Sequence, residues 1–233
     1  MAVGLAQPDQ NWRELVLEAK DPPERMPRTY TRVAPVYEAW ARATESRARK
    51  RVLELAEVSP GEDALEVATG TGVQLVRLAR ANPGGRTVGL EISAGMLAQT
   101  RRRLEREGLT SQVRVVEGSG LELPFADESF DLLVNSYMLD LLPRDQIPRA
   151  LAEFKRVLRP GGRIVLSNMT KGERRAARIW DWAYARGFVL TANCRGVLAA
   201  PVLRELDFTD VAREYLSQMH FPTEIVTARK EDR

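Results

Sequence analysis

The sequence predicts an α/β fold built on a mostly parallel sheet, and three observations carry the prediction. Short apolar runs alternate with segments of helical spacing from residue 63 onward. The first two of these runs end in a glycine turn or an acid just where the next helix begins. The last two runs, VAREYLS and EIVTARK, stand only a handful of residues apart, too few for a crossover helix, so they form an antiparallel pair.

The elements follow in order. Residues 1 to about 28 carry Pro8, Pro22, Pro23 and Pro27 among charges and read as an extended arm, with one or two helical turns around Trp12–Ala19. From Tyr30 to Val58 the spacing is helical: Val33, Val36, Tyr37 and Trp40 share a face, and a second helix runs through RARKRVLELAEV until Ser59-Pro60-Gly61 stops it. DALEVA (63–68) is a buried parallel strand, followed by the helix VQLVRLARA (73–81) and the stop Pro83-Gly84-Gly85. RTVGLE (86–91) is the next strand. Ser93 caps a helix running to Gly108, with Leu97, Thr100 and Leu104 on one face. QVRVVE (112–117) and FDLLVNS (130–136) are strands, Ile147, Leu151, Phe154 and Leu158 mark a helix, and after Arg159-Pro160-Gly161-Gly162 comes the strand RIVLSN (163–168). Helices at 173–187 and near 200–206 precede the final hairpin.

Composition narrows the function classes. The single cysteine, Cys194, makes no intrachain disulfide and no cysteine-based zinc cluster, and the single histidine, His220, excludes a multi-histidine metal site. A net charge of +3 and a pI of about 9.2 are a dilute basic excess that permits a basic patch and demands no nucleic acid. No run approaches the ~18 apolar residues of a membrane span. The first residues, MAVGLAQPDQNW, lack the charged and apolar regions of a secretory signal, so a soluble, cytoplasmic protein is expected.

Ligands of open α/β sheets sit beyond the carboxyl ends of the strands. The first such end here is Glu66-Val67-Ala68-Thr69-Gly70-Thr71-Gly72, where glycines let the backbone approach a ligand closely. The second is Glu91, 19 residues beyond Gly72, whose carboxylate can accept both hydroxyls of a ribose; a solvated strand-end acid would look the same. A dinucleotide site places a third glycine at position 75 to pack helix on strand under a pyrophosphate. Leu75 stands there, which argues against NAD or FAD and for a nucleoside without phosphate.

LEVATGTG, VGLEIS, GSGLELPFADESFDLLVNS and EFKRVLRPGGRIVL, in that order and spacing, resemble class I S-adenosylmethionine-dependent methyltransferases, of the ubiquinone/menaquinone C-methyltransferase-like group. The resemblance covers about residues 30–230. It implies a Rossmann-like sheet of seven strands with the last one antiparallel, and S-adenosyl-L-methionine as cofactor. It also implies a helical lid: TRVAPVYEAW is similar to the helix that closes over the cofactor in that group, which makes 1–58 arm and lid and 59–233 the methyltransferase domain.

Carried over by position, Glu66, Gly70 and Gly72 surround the methionine part, with Ala68 and Thr69 giving backbone contacts. Glu91 takes the ribose, and Ile92 and Met96 the adenine, unless these two are ordinary core. Ser119, between Gly118 and Gly120, stands where the group usually has an aspartate for the adenine amino group. Asn135 and Ser136 face the methionine and methyl group, and Tyr37 either reaches over from the lid or simply packs.

Methyl transfer from a sulfonium needs alignment and dryness, and a base only when the nucleophile arrives protonated. Asp140, Tyr137 and His220 are the candidate catalytic residues. The run Asn135-Ser136-Tyr137-Met138 lacks the Pro-Pro clamp of enzymes that methylate planar amines, and no aromatic-interleaved basic stripe suits a nucleic acid. A small lipophilic acceptor, quinone-like or phospholipid-like, is therefore expected. ARIWDWAYARGFVLTANCRGVL either walls its pocket or covers a sheet edge. Arginines at 42–51 and 101–106 fit an anionic membrane surface or a solvated helix face. The alternatives are a non-catalytic S-adenosylmethionine binder and an NAD-dependent oxidoreductase.

Overall fold

The computed structural model describes residue 16 and residues 43–171 and 195–232. The expected arm turns, Tyr37, the TRVAPVYEAW helix, Cys194 and the helix at 173–187 lie outside these. A first helix, α1, is described over 43–56. Then follow β1 (Asp63–Val67), α2 (Val73–Ala81), β2 (Arg86–Glu91), α3 (Ala94–Arg106), β3 (Val113–Glu117), β4 (Phe130–Ser136), a 3-10 turn (Leu139–Leu141), α4 (Gln146–Val157), β5 (Leu158–Met169), α5 (Ala199–Glu205), β6 (Phe208–Gln218) and β7 (Phe221–Lys230).

The strands form one seven-stranded sheet in the order β3-β2-β1-β4-β5-β7-β6. All neighbouring pairs from β3 to β5 are parallel, and β7 runs antiparallel between β5 and β6. Strand order reverses between β1 and β4, so a crevice opens beyond their carboxyl ends. Helices cover both faces. On one, Ala48, Val52 and Ala56 of α1 and Leu78 of α2 pack on Ala64, Leu132, Val134 and Val165. On the other, α4 and α5 pack Leu151, Phe154 and Leu203 against Leu65, Leu133 and Ile164. Burial on both faces explains why the central strands read as unbroken apolar runs rather than alternating ones.

Two boundaries differ from the expectation. The Arg159-Pro160-Gly161-Gly162 stretch belongs to β5, where Leu158 pairs with Phe130 and the register shifts before Leu132. Gly161 takes φ +70, and an added Cβ at Gly162 would meet the Arg159 carbonyl oxygen at 2.8 Å, so the bulge holds the glycines within the strand. It also aims Arg159 at two carboxylates, Asp63 (2.6 Å) and Asp131 (2.7 Å), at the end of the sheet opposite the crevice. The final hairpin closes in two residues, Met219 and His220, because β6 and β7 extend to Gln218 and Phe221. Both turn residues have positive φ, 49° and 63°, the backbone of a type I′ turn made without glycine.

Candidate functional site

A cleft of about 120 Å³ lies at the carboxyl ends of β1, β2 and β4. It is lined by Arg49 of α1, by Ala68–Thr71 of the β1–α2 turn, by Glu91–Ser93 and Met96, and by Ser136–Met138 and Leu141 beyond β4.

The β1–α2 turn is built to bring backbone close to a ligand. Ala68, Gly70 and Gly72 have φ of 60°, 56° and 78°. The turn is pinned from outside: Thr69 N donates to Leu90 O (3.1 Å), Thr100 Oγ1 to Gly70 O (2.8 Å), and Arg103 Nε to Thr71 O (2.8 Å). Its two glycines do different work. A Cβ on Gly70 would meet nothing within 4 Å and would project into open space, whereas one on Gly72 would strike Thr100 Cγ2 at 2.9 Å. Gly70 therefore keeps space at the cleft, and Gly72 lets α2 pack on α3. Leu75, in place of a third glycine, is fully buried. The room it needs comes from β2, since a Cβ on Gly89 would lie 2.6 Å from Leu75 Cδ2.

Glu91 closes β2 with its carboxylate already oriented. Oε2 accepts from Gly70 N (2.9 Å) and Oε1 from Ser93 N (2.8 Å). Burial pushes this carboxyl above its ordinary range, and these amides act against that shift. Ser93 also caps α3, its hydroxyl accepting from Met96 N at 3.4 Å. Ile92, in contrast, exposes 52% of its surface at the cleft, while Met96 beside it is buried.

Other expected residues support the site from outside the cleft. Glu66 is completely buried, and desolvation pushes its carboxyl up to about 8, against the pull of the Arg49 charge. Asn135 Nδ2 donates to Val67 O (2.8 Å) and joins the ends of β4 and β1. Gly118 N donates to Glu91 O (3.1 Å), and Ser119 Oγ accepts from Leu121 N (3.1 Å). A Cβ on Gly120 would lie 2.8 Å from Met138 Sδ, so this glycine admits Met138 to the cleft wall. Among the described residues, Glu66 Oε2, Thr69 Oγ1 and Asn135 Oδ1 are buried without a hydrogen-bond partner. Such atoms cost about 1–3 kcal/mol each until a polar ligand or water satisfies them.

Beyond β4 the chain turns sharply at Tyr137, whose φ is 55°. Its N donates to Ser167 O (2.7 Å), and its hydroxyl shares a 3.0 Å hydrogen bond with Thr223 Oγ1. Burial, then the charge of Glu45, push this phenol well above its ordinary value. Ser136 Oγ is held by Ser167 Oγ at 3.0 Å. Asp140 is fully buried on the 3-10 turn and does not line the cleft; its carbonyl accepts from Arg195 Nη1 at 2.9 Å. His220 is exposed at the β6–β7 turn, also outside the cleft lining.

Sequence reasoning passed over Arg49, Thr71, Ser93, Met138 and Leu141 as wall residues. Arg49 left one signal, its position on the inward stripe of α1 with Glu45, Ala48, Val52 and Ala56. Among so many arginines that signal does not stand out.

Residues 64–162 match the family described as a methyltransferase domain. Similar curated proteins include a demethylmenaquinone methyltransferase of Symbiobacterium thermophilum, 31% identical over 71% of this chain and 65% of that protein. Another is the ubiquinone/menaquinone biosynthesis C-methyltransferase UbiE of Paracoccus denitrificans, 36% identical over 54% of this chain and 48% of that one. The chain thus spans about half to two thirds of the length of these relatives. Among solved structures, geranyl diphosphate methyltransferase in complex with S-adenosylmethionine superposes with a TM-score of 0.64 at 15% identity, covering 80% of this chain and 85% of that one. The cyclase SpnF gives 0.65 at 20%, covering 80% and 82%. At such identities the likeness speaks for the fold alone. The strand order, the glycine turn facing Glu91 and the matched domain agree: over residues 64–162 the chain is a methyltransferase domain of the class I S-adenosylmethionine-dependent family.

Proposed function

We propose that this protein transfers a methyl group from S-adenosylmethionine to a small lipophilic acceptor of the quinol class, and that it works in the cytoplasm. The observation that carries the reading is the composition of the cleft wall. Its β1–β2 side offers an oriented carboxylate, the Gly70 backbone and an exposed Ile92, while its β4 side is formed by Tyr137, Met138 and Leu141.

The residues fit the cofactor part by part. Glu91 suits the ribose hydroxyls, Ile92 and Met96 an adenine face, and the Thr69–Gly70 backbone the methionine chain, with Thr69 Oγ1 available to it. The bound cofactor supplies a methyl group on a positively charged sulfur, already activated for in-line displacement. The protein aligns the acceptor and excludes water. Tyr137 keeps its proton, because its phenol is pushed well above the ordinary value, so it serves as a hydrogen-bond donor rather than a base. Asp140 does not line the cleft, and Glu91 is bonded to two amides. A quinol ring is electron-rich enough to attack the activated methyl group, and the proton that the methyl group displaces passes to solvent, which matches a wall with no base identified among the described residues. The relatives named as quinone methyltransferases support this acceptor class.

Calorimetric titration with S-adenosylhomocysteine, with NADH in parallel, tests the cofactor. Micromolar binding of the first and none of the second is expected. Transfer of labelled methyl from S-adenosylmethionine to a panel of quinols and phospholipids tests the acceptor; labelling of phospholipid alone refutes the quinol reading.

A further inference from the structure

We propose, resting on the reading above, that Arg156 and Glu153 of α4 are positioning residues for the nucleoside half of the cofactor, because they fasten the connection between β3 and β4 that backs the cleft. This connection, residues 118–129, meets both sides of the cleft at its near end. Gly118 N donates to the Glu91 carbonyl oxygen at 3.1 Å, and a Cβ on Gly120 would lie 2.8 Å from Met138 Sδ. Glu91 and Met138 both line the cleft. Apart from a bridge between Ser119 and Glu122 the connection has no helix or strand of its own, so its place depends on what ties it down.

Arg156 ties down its far part. Nε and Nη2 donate to Glu153 at 2.8 Å each, Nη2 also to Leu123 O at 3.0 Å, and Nη1 to Phe125 O and Asp127 Oδ1 at 2.8 Å each. These bonds use all the N–H groups that a guanidinium has, and the three of a lysine ammonium could not replace them. Glu153 Oε2 in turn accepts from Leu123 N at 2.8 Å, and the main chain closes the end, with Glu128 N on Arg156 O and Ser129 N on Val157 O. Bonds from Arg156 hold the Glu153 carboxyl below its ordinary range, so the pair stays ionised at neutral pH. Both residues belong to the run EFKRVLRPGGRIVL: its glycines shape the β5 bulge, and its glutamate and arginine reach the loop. The carboxylate of Glu91 is set by the amides of Gly70 and Ser93, and its own carbonyl rests on Gly118. A loop released by α4 leaves that support, and the fraction of molecules with a binding-competent cleft falls.

The test is calorimetry with S-adenosylhomocysteine and with 5′-methylthioadenosine, which keeps the nucleoside and lacks the amino-acid end. Arg156→Met should weaken both by the same factor, about 10-fold if the loop holds its place in a tenth of the molecules. Arg156→Lys should recover part of the loss. Glu153→Gln, which keeps an acceptor for Leu123 N and loses the ion pair, should show the same pattern at smaller size and carries the test if Arg156→Met does not fold. Hydrogen exchange of the amides in 118–129 should quicken in each variant and slow again with saturating S-adenosylhomocysteine. Quicker exchange with unchanged affinity makes the pair a stabilising clamp only and overturns the proposal. So does a loss confined to S-adenosylhomocysteine, which would place the effect at the amino-acid end. A wild-type chain that binds neither compound overturns the cofactor reading itself.

Discussion

Replacing Glu66 by glutamine removes one proton equilibrium and keeps the shape of the side chain. Glu66 is fully buried at the end of β1, and desolvation holds its carboxyl at about 8 instead of the ordinary 4.5. The folded protein therefore keeps this proton across a window in which the unfolded chain has released it. Within that window stability falls as pH rises, because unfolding releases a proton. The contribution is fully present below pH 4.5 and lost above about 8. At about 1.36 kcal/mol per pH unit, the whole window amounts to roughly 5 kcal/mol, a large part of the stability of an ordinary domain. The assay is urea unfolding of wild type and Glu66→Gln at several values between pH 5 and 9, taken as the difference between the two proteins so that other groups cancel. Glu66→Gln should gain on wild type steadily from pH 5 to 8 and no further above that. Parallel curves would refute the assignment of a buried, protonated Glu66, and so would a difference that opens only below pH 5.

Four further outcomes follow from the site and its frame. Gly70→Val should abolish S-adenosylhomocysteine binding in calorimetry, since its side chain would enter open space at the cleft, while thermal unfolding shows a loss of only ~1–3 kcal/mol for the strained φ. Gly72→Ala should instead show mainly as a stability loss of ~1–3 kcal/mol, because its Cβ strikes Thr100. Tyr137→Phe should cost ~1 kcal/mol for the lost bond to Thr223 and leave the rise of methyl transfer with pH unshifted; loss of that acid limb would make Tyr137 the base after all. The double change Met219→Asn, His220→Gly should raise stability by ~1–2 kcal/mol, measured by chemical unfolding, since it relieves two positive-φ positions in the hairpin turn.

The order of the elements was legible in the sequence because each strand and helix announces itself locally. Apolar runs with glycine or acid at their ends marked β1 and β2, Ser93 marked the start of α3, and the short spacing of the last two runs marked an antiparallel pair. Motif order also pointed to the methyltransferase family, through residues that lie close together along the chain. Distant contacts were not legible. Leu75 announced only that a third glycine is missing; that Gly89, on another strand, yields the space belongs to the packing of α2 on β2. Asp140 and His220 both looked like candidate bases. Burial of the first and exposure of the second depend on how the 3-10 turn and the hairpin meet the rest of the chain. Arg49 shows the division best. Its place on the inward face of a helix follows from periodicity, a property of neighbours in sequence. Its place at the cleft, beside the ends of β1 and β4, follows from the docking of α1 on the sheet, and only the tertiary structure decides that.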